Sequence, residues 1–240
     1  MNELEELVRE YRSVKETPHE DEAKRIKLLF DFQKTLVSTS TKEVLDFHYE
    51  CLKDFSDWQL YCYCRAAFVR RGMSVEPYLI GKLSHEGNYH VIGDIIHLLG
   101  RLRSPLALKV ALEYIEKEDA YIKEVCLYVI GWVGYYDDIE VLNGYLVNGS
   151  TQLIRITAGS AMRQIFWRLP ELKNHIVDYL SNAFYCEKDN SVKARMIELI
   201  STVTIKNLGI REGKNDPNVL IGDLEKAIIK TNKFLLSRNE

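Results

Sequence analysis

Two histidines and an aspartate are spaced so that they share one face of a predicted helix. His90, Asp94 and His97 stand at i, i+4 and i+7 in the stretch SHEGNYHVIGDIIHLLG. Two imidazoles and a carboxylate are a ligand set that can hold a divalent metal ion. A later helix of similar pattern carries Tyr, Val and Tyr at the matching positions, which is typical of a packing face. The sequence therefore favours packing and leaves a metal site open.

A second candidate for metal or redox chemistry is the CYC stretch, Cys62 to Cys64. Residues two apart on a helix point about 200 degrees apart, so both thiolates reach one ion only if the helix breaks. Burial as small apolar side chains is the favoured role. Neither a glycine-rich phosphate loop nor a nucleophile elbow occurs in the sequence, so we predict no cofactor and no catalytic residue.

Composition indicates an ordered globular protein with a sizeable core. The chain has 240 residues, of which 46% are hydrophobic and 28% charged, and a formal net charge of -3. Its five cysteines are odd in number and irregularly spaced, which argues against a disulfide framework. The first residues are acidic, unlike a secretory signal, and no apolar run approaches the roughly 18 to 20 residues of a membrane helix. We expect a cytoplasmic protein that does not contact a membrane.

The elements that position these residues follow an internal repeat. Four segments share one pattern: VIGDIIHLLGRL from Val91, IKEVCLYVIGWV from Ile122, IRITAGSAMRQI from Ile154 and VKARMIELISTV from Val192. Their first, fifth, sixth, eighth, ninth and twelfth positions are apolar or small, which is the spacing of a helix face buried on two sides. The starts are 31, 32 and 38 residues apart, and a looser fifth copy begins at Trp58. We call these segments the template helices.

The template resembles the first helix of the short bacterial HEAT-type repeat, in which an apolar residue, a basic residue, two variable positions, small residues and a glycine follow one another. The resemblance covers residues 57–205. The basic position is held by Lys123, Arg155 and Lys193, and the late glycine by Gly100 and Gly131. The first copy departs from the pattern at the basic position, and the third and fourth depart at the glycine.

A period of about 31 residues fits two helices and two turns, and neither helix can bury its apolar face until another pair stacks on it. We therefore predict an all-α fold, an α-α superhelix or solenoid of antiparallel helix pairs. Second helices are expected after Ser104, Asp137 and Pro170, with Ser104 and Asp137 as caps. One continuous domain is predicted, with capping helices over residues 1–56, repeats over 57–205, and a loop and C-terminal capping helix over 206–240.

Two enzyme classes with HEAT-type folds bear on function. Deoxyhypusine hydroxylases of this type hold iron with repeated His-Glu pairs, and only His85-Glu86 matches that pair here. HEAT-like DNA glycosylases for alkylated bases grip DNA in a basic groove with aromatic and acidic residues. This chain has residues of these types: three tryptophans, and a basic patch that comprises Arg155, Arg163, Arg168 and Lys173. The net negative charge opposes DNA binding, because counterion release needs many cations on one surface.

The middle of the chain is acidic and carries an aromatic pair. Residues 105–150 contain three Lys or Arg against eight Asp or Glu, and GYYDDIE places two tyrosines beside carboxylates. Aromatic anchors with charges beside them are typical of protein interfaces. The predicted partner-binding residues are Glu113, Glu116, Tyr135, Tyr136, Asp137, Asp138 and Glu140.

These features predict a non-catalytic solenoid that binds a basic protein partner. Among HEAT-like proteins, the resemblance points to a bacterial immunity protein that neutralises a toxin domain delivered by neighbouring cells, as in contact-dependent inhibition. Toxins that cleave nucleic acid tend to be basic, so an acidic surface suits them. A DNA glycosylase and a general scaffold or adaptor remain the alternatives. The sequence leaves the partner's identity and the oligomeric state open.

Overall fold

Capping side chains open many of the helices and fix where each begins. Thr41, Asp57, Asn88, Thr151 and Asp223 each accept a backbone N–H from the first turn that follows them. The predicted caps at Ser104 and Asp137 are not found: α7 begins at Ala107, after Leu106, and neither α7 nor α9 has a side-chain capping hydrogen bond.

The computed structural model describes residues 3–117 and 119–238, and the all-α prediction is confirmed. The chain divides into two compact units, residues 1–104 and 105–240. The boundary falls beside Arg103, whose backbone has a positive φ of 56°, and Pro105, which has no N–H to continue a helix. Each unit is described separately.

The first unit contains three helix pairs. Its elements are α1 (Glu3–Glu16), α2 (Glu22–Ser38), α3 (Lys42–Leu52), α4 (Trp58–Arg70), a 3₁₀ turn (Gly72–Val75), α5 (Glu76–Leu83) and α6 (Tyr89–Arg101). Helices α2, α4 and α6 pack side by side, and α1, α3 and α5 pack on them in turn. The N-terminal helices therefore belong to the stack, beyond the capping role predicted for residues 1–56.

The second unit repeats this arrangement. Its elements are α7 (Ala107–Tyr114), α8 (Ala120–Val133), α9 (Asp138–Asn148), α10 (Gln152–Arg168), a 3₁₀ turn (Pro170–Leu172), α11 (Lys173–Cys186), α12 (Asn190–Thr204), β1 (Ile210–Glu212), β2 (Leu220–Gly222) and α13 (Leu224–Leu236). Helices α8, α10 and α12 form one layer, and α7, α9 and α11 pack on it. We call α7, α9 and α11 the second helices of this unit.

The template helices are α6, α8, α10 and α12, and their predicted apolar positions are buried except the twelfth position of the first two. The predicted fifth copy is a helix, α4, in a different register. Trp58 is 69% exposed, whereas Leu60, Cys64 and Phe68 are buried, so the copy begins at Leu60. This start lies 31 residues before Val91, which matches the spacing of the other copies.

Small residues let the template helices of the second unit approach one another closely. A Cβ atom added to Gly131 of α8 would lie 2.9 Å from the Cα of Ala161 in α10. A Cβ atom added to Gly159 of α10 would lie 2.8 Å from the Cδ1 of Leu199 in α12. Glycine is therefore required at position 131, where the neighbour is backbone, whereas at position 159 the end of the Leu199 side chain would have to shift.

The segment predicted as a C-terminal loop contains a short antiparallel hairpin. Strands β1 and β2 pair in the register Ile210 with Gly222 and Glu212 with Leu220. The hairpin packs on α12, with Ile210 buried. Such short strands give too little alternation to be predicted from sequence, and the final helix begins at Leu224, after its cap at Asp223.

Candidate protein-binding surface

Two of the predicted acidic residues lie at the C-terminal end of α7. Glu113 is in the helix, Glu116 is in the turn after it, and both are exposed. The Tyr145 hydroxyl of α9 donates to the Ile115 carbonyl at 3.2 Å and to the Glu116 carboxylate at 3.3 Å. Burial, with the nearby charge of Glu116, raises the pKa of Tyr145 to about 12. These bonds hold the end of α7 against α9.

The turn between α8 and α9 presents the predicted aromatic pair. Tyr135 is 62% exposed and Tyr136 is 53% exposed, and Asp137 is exposed beside them. Asp138 does not belong to this exposed surface, because its carboxylate is buried and accepts the backbone N–H of Tyr135 at 2.7 Å. The carboxylate satisfies a donor near the start of α9, so it holds the turn rather than facing a partner.

Two residues of α11 complete this region, and sequence reasoning missed both. The imidazole of His175 stacks on the Tyr136 ring, with centroids 5.0 Å apart and an interplanar angle of 24°. Tyr179 meets His175 edge-on at 4.7 Å and donates its hydroxyl to the Glu140 carboxylate. The hydrogen bond to Glu140, with burial, raises the pKa of Tyr179 to about 12. An alignment of the sequences of the second helices would have placed His175 and Tyr179, which are four residues apart in α11, beside α9.

These contacts join the N-terminal part of α9 to α11 in one continuous patch. Aromatic rings and carboxylates are exposed together on it, and the rings of Tyr136, His175 and Tyr179 are fixed by stacking and a hydrogen bond. Rigid rings lose little conformational entropy when they bind a partner. We call this patch the tyrosine–carboxylate surface, which comprises Tyr135, Tyr136, Asp137, Glu140, His175 and Tyr179.

The histidine and aspartate residues of α6 do not converge on one point. Asp94 is completely buried, accepts the Tyr61 hydroxyl at 2.7 and 2.8 Å, and pairs with Arg65 at 3.1 Å. His90 is exposed, with its ring 5.8 Å from that of Phe55. In the described parts of the chain, no group of three or more His, Cys, Asp or Glu side chains has a geometry that could hold a metal ion.

The cysteines of the CYC stretch lie on different sides of α4, as helical geometry predicts. Cys64 is buried, and the proximity of its thiol, together with burial, raises the pKa of Cys51 in α3. Cys62 is exposed, so the prediction of a buried apolar role is wrong for this residue. Burial of part of the side chain raises the pKa of the Cys62 thiol, with Asp94 acting in the same direction and Arg65 opposing it. The thiol therefore stays protonated at neutral pH.

The arginines of the predicted basic patch are engaged within the second unit. Arg155 pairs with Glu187 at 2.7 Å, Arg163 pairs with Glu198 at 3.1 Å and with Glu212 at 2.8 Å, and Arg168 donates to the carbonyls of Gly131 and Gly134. Guanidinium groups whose charge is already neutralised by carboxylates offer little to a phosphate backbone. The patch is part of the internal framework of the unit.

Two of the three tryptophans are exposed. Trp58 is 69% exposed and Trp167 is 59% exposed, whereas Trp132 is half-buried. Trp167 therefore lies outside the core although it belongs to the template helix α10. The guanidinium of Arg163 lies 5.0 Å from the centroid of the Trp167 ring, in a cation–π contact that covers one face of the ring.

The fold and its stacked pairs define an all-α helical-repeat protein. No protein-family model matches the chain, and a search of curated proteins finds no significant match. Across residues 3–117 and 119–238, the helices are too short or too polar for any of them to cross a membrane.

Proposed function

We propose that this protein is a non-catalytic binding protein whose tyrosine–carboxylate surface docks a basic protein domain. The observation that carries the proposal is the exposed Tyr136 ring, held on His175 beside the carboxylates of Asp137 and Glu140. An aromatic anchor supported from below, with charges beside it, has the composition of an interface hot spot. Glu113 and Glu116 of α7 extend the negative charge along the second helices.

The partner is proposed to be basic because of the charge balance of this region. Residues 105–150 hold three cationic against eight acidic side chains, and Arg155 and Arg163 of α10 pair with carboxylates of the same unit. A negative surface accelerates association with a positive partner and disfavours nucleic acid. The stacked helices need little reordering on binding, so little conformational entropy opposes the complex.

Within this class we propose a cytoplasmic immunity protein that neutralises a nuclease-type toxin domain. The support is the HEAT-like repeat pattern of the sequence together with the acidic surface. Nuclease domains bind polyanions and are commonly basic, so an acidic protein that covers their active-site cleft would block substrate access. A scaffold or adaptor would have the same fold and would differ in its partner alone.

The DNA glycosylase alternative has less support. The basic patch that favoured it consists largely of arginines held in ion pairs or helix-end hydrogen bonds. A glycosylase would bind duplex DNA at about 100 mM salt and release alkylated bases, since specific complexes persist at that ionic strength. Absence of both activities would remove this alternative.

The first test is whether a toxin-type domain is encoded beside this gene. If it is, that domain is co-expressed with this chain, followed by affinity purification and a toxicity assay. We expect a stable complex and loss of toxicity. The variant Glu113→Lys/Asp137→Lys/Glu140→Lys should lose both. A matched control reverses three exposed acids of the first unit, Glu16→Lys/Glu20→Lys/Asp31→Lys, and should retain both.

Two results would overturn the proposal. The first is that no basic protein from the source cell binds the purified chain. The second is that the triple reversal on the second unit binds as well as the control. Circular dichroism of both triple variants separates loss of binding from loss of folding.

A further inference from the structure

A groove runs between the template helices α4 and α6 of the first unit. It has a volume of about 370 Å³. Ala66 and Val69 of α4 supply the accessible apolar wall, and Arg65, Arg70 and Arg101 line it together with His97. A concave site of this size with apolar walls and few polar groups is typical of small-molecule binding sites. The tyrosine–carboxylate surface lies in the other unit, so the protein binding proposed above does not involve this groove.

The groove carries uncompensated positive charge. Arg65 is neutralised by Asp94, which is completely buried behind it at 3.1 Å. Arg70 and Arg101 are exposed, and no described carboxylate lies within ion-pair distance of either guanidinium. Arg70 lies 5.9 Å from the centroid of the Phe30 ring, a contact that leaves its charge in place.

His97 contributes no charge to the groove. Burial, together with the charges of Arg65 and Arg101, lowers the pKa of His97 to about 3. The ring is therefore neutral at physiological pH. Two arginine charges remain at the groove.

The last pair of template helices carries a carboxylate where α6 carries His97. His97 occupies the seventh template position of α6, and the residue at the seventh position of α12 is Glu198. Glu198 pairs with Arg163 of the preceding template helix and with Arg195 of its own helix, each at 3.1 Å. The two groove arginines, Arg70 and Arg101, stand at a different position, the eleventh of α4 and of α6. No acidic residue stands at the seventh position of α4 or of α6 to pair with them.

We propose that the groove between α4 and α6 binds a small amphiphilic carboxylate from solution. Its carboxylate pairs with Arg70 and Arg101, whose charges no carboxylate of the described chain neutralises. Its apolar part lies against Ala66 and Val69. Charge-assisted hydrogen bonds from guanidinium groups favour a carboxylate in particular, and the apolar walls disfavour a fully hydrated ion such as acetate.

Decanoate is a suitable probe, and isothermal titration calorimetry measures its binding to the whole chain. We expect saturable binding at one site, with decanol and acetate at least tenfold weaker because each lacks one half of the ligand. Arg70→Gln and Arg101→Gln should each weaken decanoate binding about tenfold, which corresponds to roughly 1.4 kcal/mol. Arg12→Gln, an exposed charge removal on α1, should leave the affinity unchanged.

A fourth variant tests the comparison between repeats. His97→Glu supplies a carboxylate within the chain, and this carboxylate should compete with decanoate for the arginines. We expect decanoate binding to weaken more than tenfold, with no decrease in the midpoint of urea unfolding. Ala66→Leu should abolish binding by filling the groove.

The proposal fails if the wild-type chain shows no saturable decanoate binding below about 1 mM. It also fails if Arg12→Gln weakens binding as much as Arg101→Gln, since the effect would then be one of net charge. Unchanged affinity in Ala66→Leu or in His97→Glu would place the ligand elsewhere and overturn the site. Urea unfolding of each variant identifies any loss of fold.

Discussion

The ring of Tyr136 stacks on the imidazole of His175, with centroids 5.0 Å apart and planes inclined by 24°. The two residues are 39 positions apart in the chain, and Tyr136 lies in the turn before α9 whereas His175 lies in α11, so this contact joins the start of α9 to α11. Tyr179 extends it through an edge-on contact with His175 and a hydrogen bond to Glu140. The exposed tyrosine is therefore held in one orientation before any partner arrives.

A double-mutant cycle measures this support. Stacked aromatic pairs contribute about 0.5 to 1.5 kcal/mol beyond area burial, and partial exposure places this one near the lower end. Tyr136→Ala and His175→Ala should therefore show a coupling of about 0.5 to 1 kcal/mol in urea unfolding. The cycle of Tyr135→Ala with His175→Ala is the control, since no ring contact joins them, and should give coupling below about 0.3 kcal/mol. Equal coupling in both cycles would contradict the stacking.

The helices could be predicted from sequence because each template segment repeats the same buried positions at nearly constant spacing. Periodicity reports which residues share a face, and burial follows when another helix covers that face. The copy in α4 shows the limit of this reasoning. Trp58 is apolar and exposed, so hydrophobicity alone set the register two residues too early.

The tyrosine–carboxylate surface could be predicted only in part. Four of its residues are neighbours in sequence and combine aromatic with acidic side chains, which is visible without a structure: Tyr135, Tyr136, Asp137 and Glu140. The stacking on α11 depends on tertiary structure, because it joins residues far apart in the chain. Asp137 and Asp138 are chemically identical, and only the turn geometry, in which the second carboxylate accepts a backbone N–H, decides which one is buried.

Close packing between α8 and α10 predicts opposite effects for two glycine substitutions. Gly131→Ala places a methyl group 2.9 Å from the Ala161 Cα, and overpacking of about 1 to 3 kcal/mol exceeds the helix-propensity gain of about 1 kcal/mol. We expect a net loss of about 1 to 2 kcal/mol in the free energy of unfolding. Gly144→Ala, in the open interior of α9, should stabilise the protein by about 0.5 to 1 kcal/mol. Stabilisation by both substitutions would contradict the packing.

The buried cluster around Glu198 predicts a large effect of one neutral substitution. The side chain of Glu198 is 4% exposed and that of Arg195 is 7% exposed, so Glu198→Gln leaves guanidinium charge poorly compensated inside the protein. Breaking a buried pair in this way costs about 3 kcal/mol. Glu212→Gln serves as the control because Glu212 is 32% exposed and water screens its charge, and we expect about 1 kcal/mol or less. Chemical denaturation of both variants checks the difference, and equal losses would count against the cluster.

The buried imidazole of His48 predicts how stability changes with pH. Arg71 donates its Nε hydrogen to Nδ1 of His48 at 3.1 Å, so Nε2 carries the ring proton and donates it to the Cys64 carbonyl at 2.8 Å. Complete burial, reinforced by the charge of Arg71, lowers the pKa of His48 to about 3. The ordinary value in an unfolded chain is about 6.5. The unfolded state therefore binds a proton between these two values, and the folded state does not.

It follows that the stability associated with His48 is complete above about pH 6.5 and is lost as the pH falls toward 3, at up to about 1.4 kcal/mol per pH unit. His48→Gln should reduce the slope of unfolding free energy between pH 4.5 and 6 by about 1 kcal/mol per pH unit, measured by urea denaturation at each pH. His85→Gln, at an exposed position, should leave the slope unchanged. If the two variants gave the same slope as the wild-type chain, the proton uptake on unfolding would belong to other groups, and the buried neutral state of His48 would be refuted.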